Sequence, residues 1–183
     1  MDLLYDAAAT YGELTGCEHR IALSDGRELR LIFKPANFAH LAGLHKFDDL
    51  YWISSGKYGA VQLYKMALRG KLTLEDLKKS RKYTAEARER LESLLRISEL
   101  LVVNGRAVSP FDRSVCRAQV RFKSDTLFFK DDGYEFFITF GAAQEKQGIY
   151  HYPETVFYRF DRAYILHQRI VTIHSIERIQ FAK

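Results

Sequence analysis

Thr126-Leu127-Phe128-Phe129-Lys130-Asp131-Asp132-Gly133-Tyr134-Glu135-Phe136-Phe137-Ile138-Thr139-Phe140-Gly141 is the stretch on which the fold turns. Runs dense in Phe, Ile and Thr flank the polar Lys130-Asp131-Asp132-Gly133, the pattern of two antiparallel strands joined by a turn. Similar texture over Ala118–Lys123, Val156–Phe160 and Tyr164–Ile173 predicts three more strands. Upstream of Gly105 the period changes to that of helices. Leu3, Leu4, Ala7, Ala8, Tyr11 and Leu14 mark a first helix ended by Gly16. Further helices are predicted over Asn37–Leu50 with Asn37 as cap, Tyr58–Leu68, Leu74–Ser80 and Ala85–Val103. Thr73 and Asp76 have capping-box spacing ahead of the third of these. Between the first two helices, Cys17–Ser24 and Glu28–Lys34 alternate in character and meet at Asp25-Gly26, a hairpin signal, with Pro35 stopping the second strand. Helices in a run followed by strands in a run, with no βαβ alternation, predict an α+β fold. In it, N-terminal helices and a β-hairpin pack on a C-terminal antiparallel sheet. One domain over residues 1–183 is expected, helical to about 105 and sheet from about 106.

Composition narrows the function classes. With 183 residues, 47% of them hydrophobic and 28% charged, the chain can bury one core and has no disorder signature. Charges interrupt its apolar runs well short of the roughly 20 residues of a membrane span, and Met1-Asp2-Leu3-Leu4-Tyr5-Asp6 has no basic start, so a cytoplasmic protein is expected. GxGxxG and GxxxxGK[ST] are absent, so a nucleotide cofactor would lack its usual phosphate cradle. Cys17 and Cys116 form no CxxC and read as small buried hydrophobes. No His, Cys or acidic residues recur at metal-ligand spacing, so neither metal nor cofactor is expected.

Charge is concentrated. Lys57–Arg90 holds ten basic and four acidic residues, a net +6 within a chain of net +5. A single basic block suits a face that meets a polyanion. Within it, Lys78, Ser80, Arg81, Lys82 and Tyr83 combine cations, a hydroxyl and an aromatic ring as a phosphodiester contact does, although cations also suit a helix C-terminus.

The densest chemistry is Phe33-Lys34-Pro35-Ala36-Asn37-Phe38-Ala39-His40-Leu41-Ala42-Gly43-Leu44-His45-Lys46. On an unbroken helix His40 and His45 would point about 140° apart, so they converge only if Gly43 ends or distorts the turn. A histidine pair near neutrality can act as base and acid. Tyr150-His151-Tyr152-Pro153-Glu154-Thr155 reads as a polar aromatic loop entering a strand, where His151 and Thr155 are further candidates.

The string Asn37–His45, with Gly70-Lys71-Leu72-Thr73, Leu77-Lys78-Lys79-Ser80, the helix around Arg90–Leu101 and Tyr152–Phe157, resembles a known group. It is the fourth family of phage nuclease-like domains in the barnase, EndoU, colicin and RelE superfamily. The likeness spans roughly residues 19 to 170. It implies a helical part packed on an antiparallel sheet, and metal-independent RNA cleavage or a related phage–host function.

Such cleavage needs a base for the 2′-OH proton, an acid for the 5′-oxygen and cations for the phosphate. His40 and His45 are assigned to proton transfer, with His151 as substitute. Lys34, Lys78 and Arg81 are the phosphate clamps, Lys82 joins them in binding RNA, and Ser80, Tyr83 and Thr155 position the scissile group. The expected function is thus a phage or toxin endoribonuclease acting on host tRNA or mRNA. The alternative is a non-catalytic RNA- or protein-binding module that inhibits a host factor.

Overall fold

A computed structural model describes residues 2–55, 57–117, 119–120, 122–131, 135–159 and 162–181. The chain divides into two compact units, Met1–Thr15 with Lys34–Ile97, and Gly16–Phe33 with Ser98–Lys183.

The first unit is helical, with α1 (Leu3–Gly12), α2 (Pro35–Leu41), α3 (Tyr51–Ser54), α4 (Ala60–Leu68), α5 (Leu74–Lys78) and α6 (Ala85–Leu95). The Asp2 carboxylate caps α1 by accepting from the Leu4 and Tyr5 amides at 3.0 Å. Its other oxygen accepts from the Leu74 amide at 2.8 Å, fastening α1 to the start of α5. The Thr73–Asp76 capping box forms as its spacing predicts, with Thr73 and Asp76 each receiving the other's amide. Tyr11, Phe38 and Tyr64 bring α1, α2 and α4 together, their ring centroids lying between 5.2 and 6.1 Å apart.

Three helical expectations are corrected. Instead of running from Asn37 to Leu50, α2 starts at Pro35, whose fixed φ suits a first turn, and stops at Leu41. The four-residue α3 arises in a stretch with no predicted helix. The predicted Ala85–Val103 helix ends at Leu95, and a short 3₁₀ turn over Ile97–Leu100 follows, whose three-residue period keeps Ile97 and Leu100 buried, while Val102 and Val103 are exposed beyond it.

The second unit is built from β1 (Cys17–Leu23), β2 (Glu28–Ile32), β3 (Arg106–Val108), β4 (Thr126–Asp131), β5 (Glu135–Glu145), β6 (Gly148–Arg159) and β7 (Ile170–Gln180). Among the described residues these seven strands close into a barrel in the order β1-β2-β6-β5-β4-β3-β7. This corrects the open antiparallel sheet. The α+β content stands, but the hairpin is part of the barrel wall and is not packed upon a sheet. β1 pairs with β7 from Cys17↔Gln180 to Leu23↔Ile173, and β2 meets β6 in parallel at Leu31↔His151. Closure satisfies strand edges that an open sheet would leave unpaired.

β4 and β5 pair as their sequence predicts, from Thr126↔Phe140 to Asp131↔Glu135, with the turn residues 132–134 outside the described residues. Their unbroken apolar runs are explained by burial on both faces. Phe140 meets Phe33 and Phe128 on one face. On the other, Phe129 and Phe137 join Phe111, Phe122, Tyr164 and Ile165 in a second apolar cluster.

Three strand expectations are also corrected. Residues 163–168 form turns with His167 at φ 65°, and the predicted Tyr164–Ile173 strand begins only at Ile170. Ala118–Lys123 forms no strand among its described residues, Ala118 and Arg121 lying outside them, as does Phe160. The Tyr150–Thr155 loop is instead a segment of β6. No helix among the described residues is long and apolar enough to cross a membrane.

Candidate active site

In the helical unit Gly43 takes φ 70° and ψ 17°, a left-handed conformation that glycine adopts without steric cost. The chain turns there, and Leu44–Lys46 winds as a tight 3₁₀ segment. The result is that the His40 and His45 rings stack, with centroids 4.6 Å apart and planes 15° from parallel. Both side chains are exposed to solvent.

Two cations surround the pair. A Cβ added at Gly43 would lie 3.4 Å from Arg90 Cδ, so the Arg90 side chain passes directly over the turn. Glu86 Oε1 accepts from Lys46 Nζ at 3.1 Å and from Arg90 Nη2 at 3.1 Å, tying α6 to the histidine segment. Partial burial lowers the pKa of His45 below its usual 6.5, and the charges of His40, Lys46 and Arg90 push the same way. A hydrogen bond with the Ala39 carbonyl opposes them.

The cluster at 78–83 has a different character. Ser80 Oγ donates to Asp49 Oδ1, and the Arg81 amide donates to Asp49 Oδ2 at 2.9 Å. Lys82 Nζ pairs with Asp48, while Lys78 Nζ pairs with Glu75 at 2.6 Å. The Tyr83 ring stacks on Phe47 at 6.3 Å, and its hydroxyl is buried without a hydrogen-bond partner among the described residues. Asp48-Asp49 therefore anchors this turn, and Arg81 keeps an exposed guanidinium with no acidic partner among the described residues. Lys34 stands at the head of α2, where its carbonyl accepts from the Tyr11 hydroxyl at 3.0 Å and its amide donates to Asn37 at 3.0 Å.

His151 and Thr155 belong to the barrel unit. His151 is buried on β6, where desolvation lowers its pKa despite nearby Asp125 and a hydrogen bond with the Arg30 backbone. Its Nδ1 has no partner among the described residues. Thr155 is half-buried and faces Thr139 across the β5–β6 ladder. Among the described residues no three His, Cys, Asp or Glu side chains gather as a metal-holding group.

A family model described as phage-Barnase-EndoU-ColicinE5/D-RelE like nuclease 4 matches residues 3–176. The chain belongs to this nuclease family. The match extends beyond the span of the recognisable motifs and includes both units. No curated protein and no solved structure matches the chain. Within this member of the phage nuclease-like family, Glu86 and Arg90 are neighbours of the histidine pair that sequence reasoning did not place there, whereas Lys46 stands in the same string as the histidines but was given no role. The i,i+4 spacing of Glu86 and Arg90 was a readable signal for their own pair, but nothing local connects either residue to position 46.

Proposed function

We propose that this phage nuclease-like protein is a metal-independent endoribonuclease that cleaves host RNA by 2′-OH transesterification. One observation carries the reading: the Gly43 turn stacks His40 on His45 beside Lys46 and Arg90. A phosphodiester laid across the two ring edges meets both imidazoles. Neutral His45 takes the 2′-OH proton through its lone pair, and the 2′-oxygen bonds to phosphorus. The bond from phosphorus to the 5′-oxygen breaks as protonated His40 donates to that oxygen. Lys46 and Arg90 neutralise charge on the crowded phosphate. Lys34, Lys78, Arg81 and Lys82 hold flanking phosphates, and Ser80 and Tyr83 keep supporting roles in binding or positioning.

The test is incubation of the purified protein with tRNA and mRNA in EDTA. Fragments ending in 2′,3′-cyclic phosphate are expected. Absence of cleavage, or cleavage that appears only when magnesium or manganese is added, overturns the mechanism.

The rate should also depend on pH in a defined direction. A base that must be neutral puts the acid limb of kcat/KM below pH 6.5, since burial and neighbouring cations depress the His45 pKa. Arg90→Gln removes one of those cations, so the limb should move to higher pH. A limb that stays in place or moves lower removes His45 from the role of base.

The non-catalytic binding reading draws on a separate observation. Glu86 accepts from both Lys46 and Arg90, which partly neutralises the cations next to the histidines. Its signature is capture of RNA or a host protein with the RNA left intact.

A further inference from the structure

The helix α3 buries none of its side chains. Tyr51 is 63% exposed and Trp52 39% exposed, unusual values for rings of this size. They contact each other edge to face at 5.8 Å, and Trp52 meets Tyr58 at 6.3 Å. Lys57 Nζ lies 5.6 Å from the Tyr58 ring centroid. The three rings thus form a patch with an ammonium group at its margin.

The charge around this patch is of one sign. From Leu50 to Leu74 the chain has four basic residues and no acidic one. Lys65 on α4 and Arg69 at its C-cap are both exposed, Lys71 is exposed just beyond, and none has an acidic partner among the described residues. This contrasts with Lys78, Lys79, Lys82, Arg88 and Arg90, each of which is paired with a carboxylate. Apart from Arg81, the unneutralised cations of the basic block are therefore those beside and after the exposed rings. Aromatic faces combined with unpaired cations match the bases and phosphates of single-stranded nucleic acid. A protein partner would find apolar area here, but only an acidic one would match the charge.

We propose that Tyr51, Trp52 and Tyr58 form a base-stacking platform for single-stranded RNA, with Lys57, Lys65 and Arg69 holding its phosphates. The inference rests on the RNA-cleaving reading and adds the form of the substrate: an unpaired stretch. The platform grips nucleotides outside the scissile step and has no part in proton transfer.

Trp52 is the chain's sole tryptophan, so its emission reports the platform directly. The probe is a 2′-O-methyl oligouridylate, which cannot undergo transesterification, so binding is read apart from cleavage. Binding should quench Trp52, and Tyr51→Ala and Trp52→Ala should each weaken binding of a labelled oligouridylate by roughly 5- to 100-fold, the scale for losing one stacking ring. Far-UV circular dichroism should be unchanged, since neither ring is buried. Cleavage of a dinucleotide should be unaffected, while cleavage of long single strands falls. Binding without quenching, or full affinity in both variants, overturns the platform and leaves the surface to a protein partner. Quenching with no cleavage of natural RNA supports the platform and refutes the nuclease reading alone.

Discussion

Replacing His45 with alanine should lower RNA cleavage by at least about 100-fold, the usual scale for removing an acid or base group. Replacing His40 is expected to do the same. Both side chains are exposed, so neither substitution opens a cavity, and the variants should unfold at the same denaturant concentration as the parent. The double variant should lose little more than either single one, because a base without its acid partner completes only half of the proton transfer. Cleavage of tRNA, read by gel at fixed protein concentration, checks the effect. Full activity in either folded single variant removes that histidine from the reaction. Full activity in both ends the histidine-pair mechanism.

The largest effect on stability is expected at Glu18. Its carboxylate is held on β1 between Arg20 at 2.9 Å and Arg30 at 2.7 Å, and both Glu18 and Arg30 are largely sheltered from water. The hydrogen bond from Arg30 is the main cause of its depressed pKa, pushed down to about 2 from 4.5. A carboxylate with a lowered folded pKa stabilises the fold above its unfolded value and loses that contribution as protons bind the native state. The stability due to Glu18 is therefore fully present above about pH 4.5 and fades as pH falls toward 2. Glu18→Ala should cost about 2–3 kcal/mol at neutral pH, since the sheltered Arg30 guanidinium then lacks its carboxylate partner. Urea unfolding at pH 7 and pH 3 checks both parts. The gap between parent and variant should narrow at the lower pH. A gap of equal size at both values would mean that packing, and not the ion pairs, makes Glu18 important.

Several features of the protein were legible as local patterns. Asp25-Gly26 specifies a hairpin because Gly26 can take φ 87°, and it does. Thr73 and Asp76 cap α5 because their side chains reach amides only three residues away. Gly43 signals a break, and with it the single condition under which His40 and His45 can meet. The family could likewise be recognised from short strings around these positions. Each signal acts within a few residues, so the order of neighbours in the chain contains it.

What tertiary structure decided acts across long separations. Closure of the barrel joins Cys17 to Gln180 and Leu31 to His151, and alternation within one strand cannot name the strand beside it. Burial of the barrel on both faces turns the Phe-rich runs of β4 and β5 into the centre of one unit. The carboxylates Asp48 and Asp49 read as turn residues, but folding sets them under Ser80, Arg81 and Lys82, which ties much of the expected phosphate clamp to protein partners. Folding likewise lays Arg90 over Gly43, more than 40 positions away, and so sets the charge felt by His45. Which cations are neutralised and which remain open to a polyanion is a matter of partners in space, and composition records only their number.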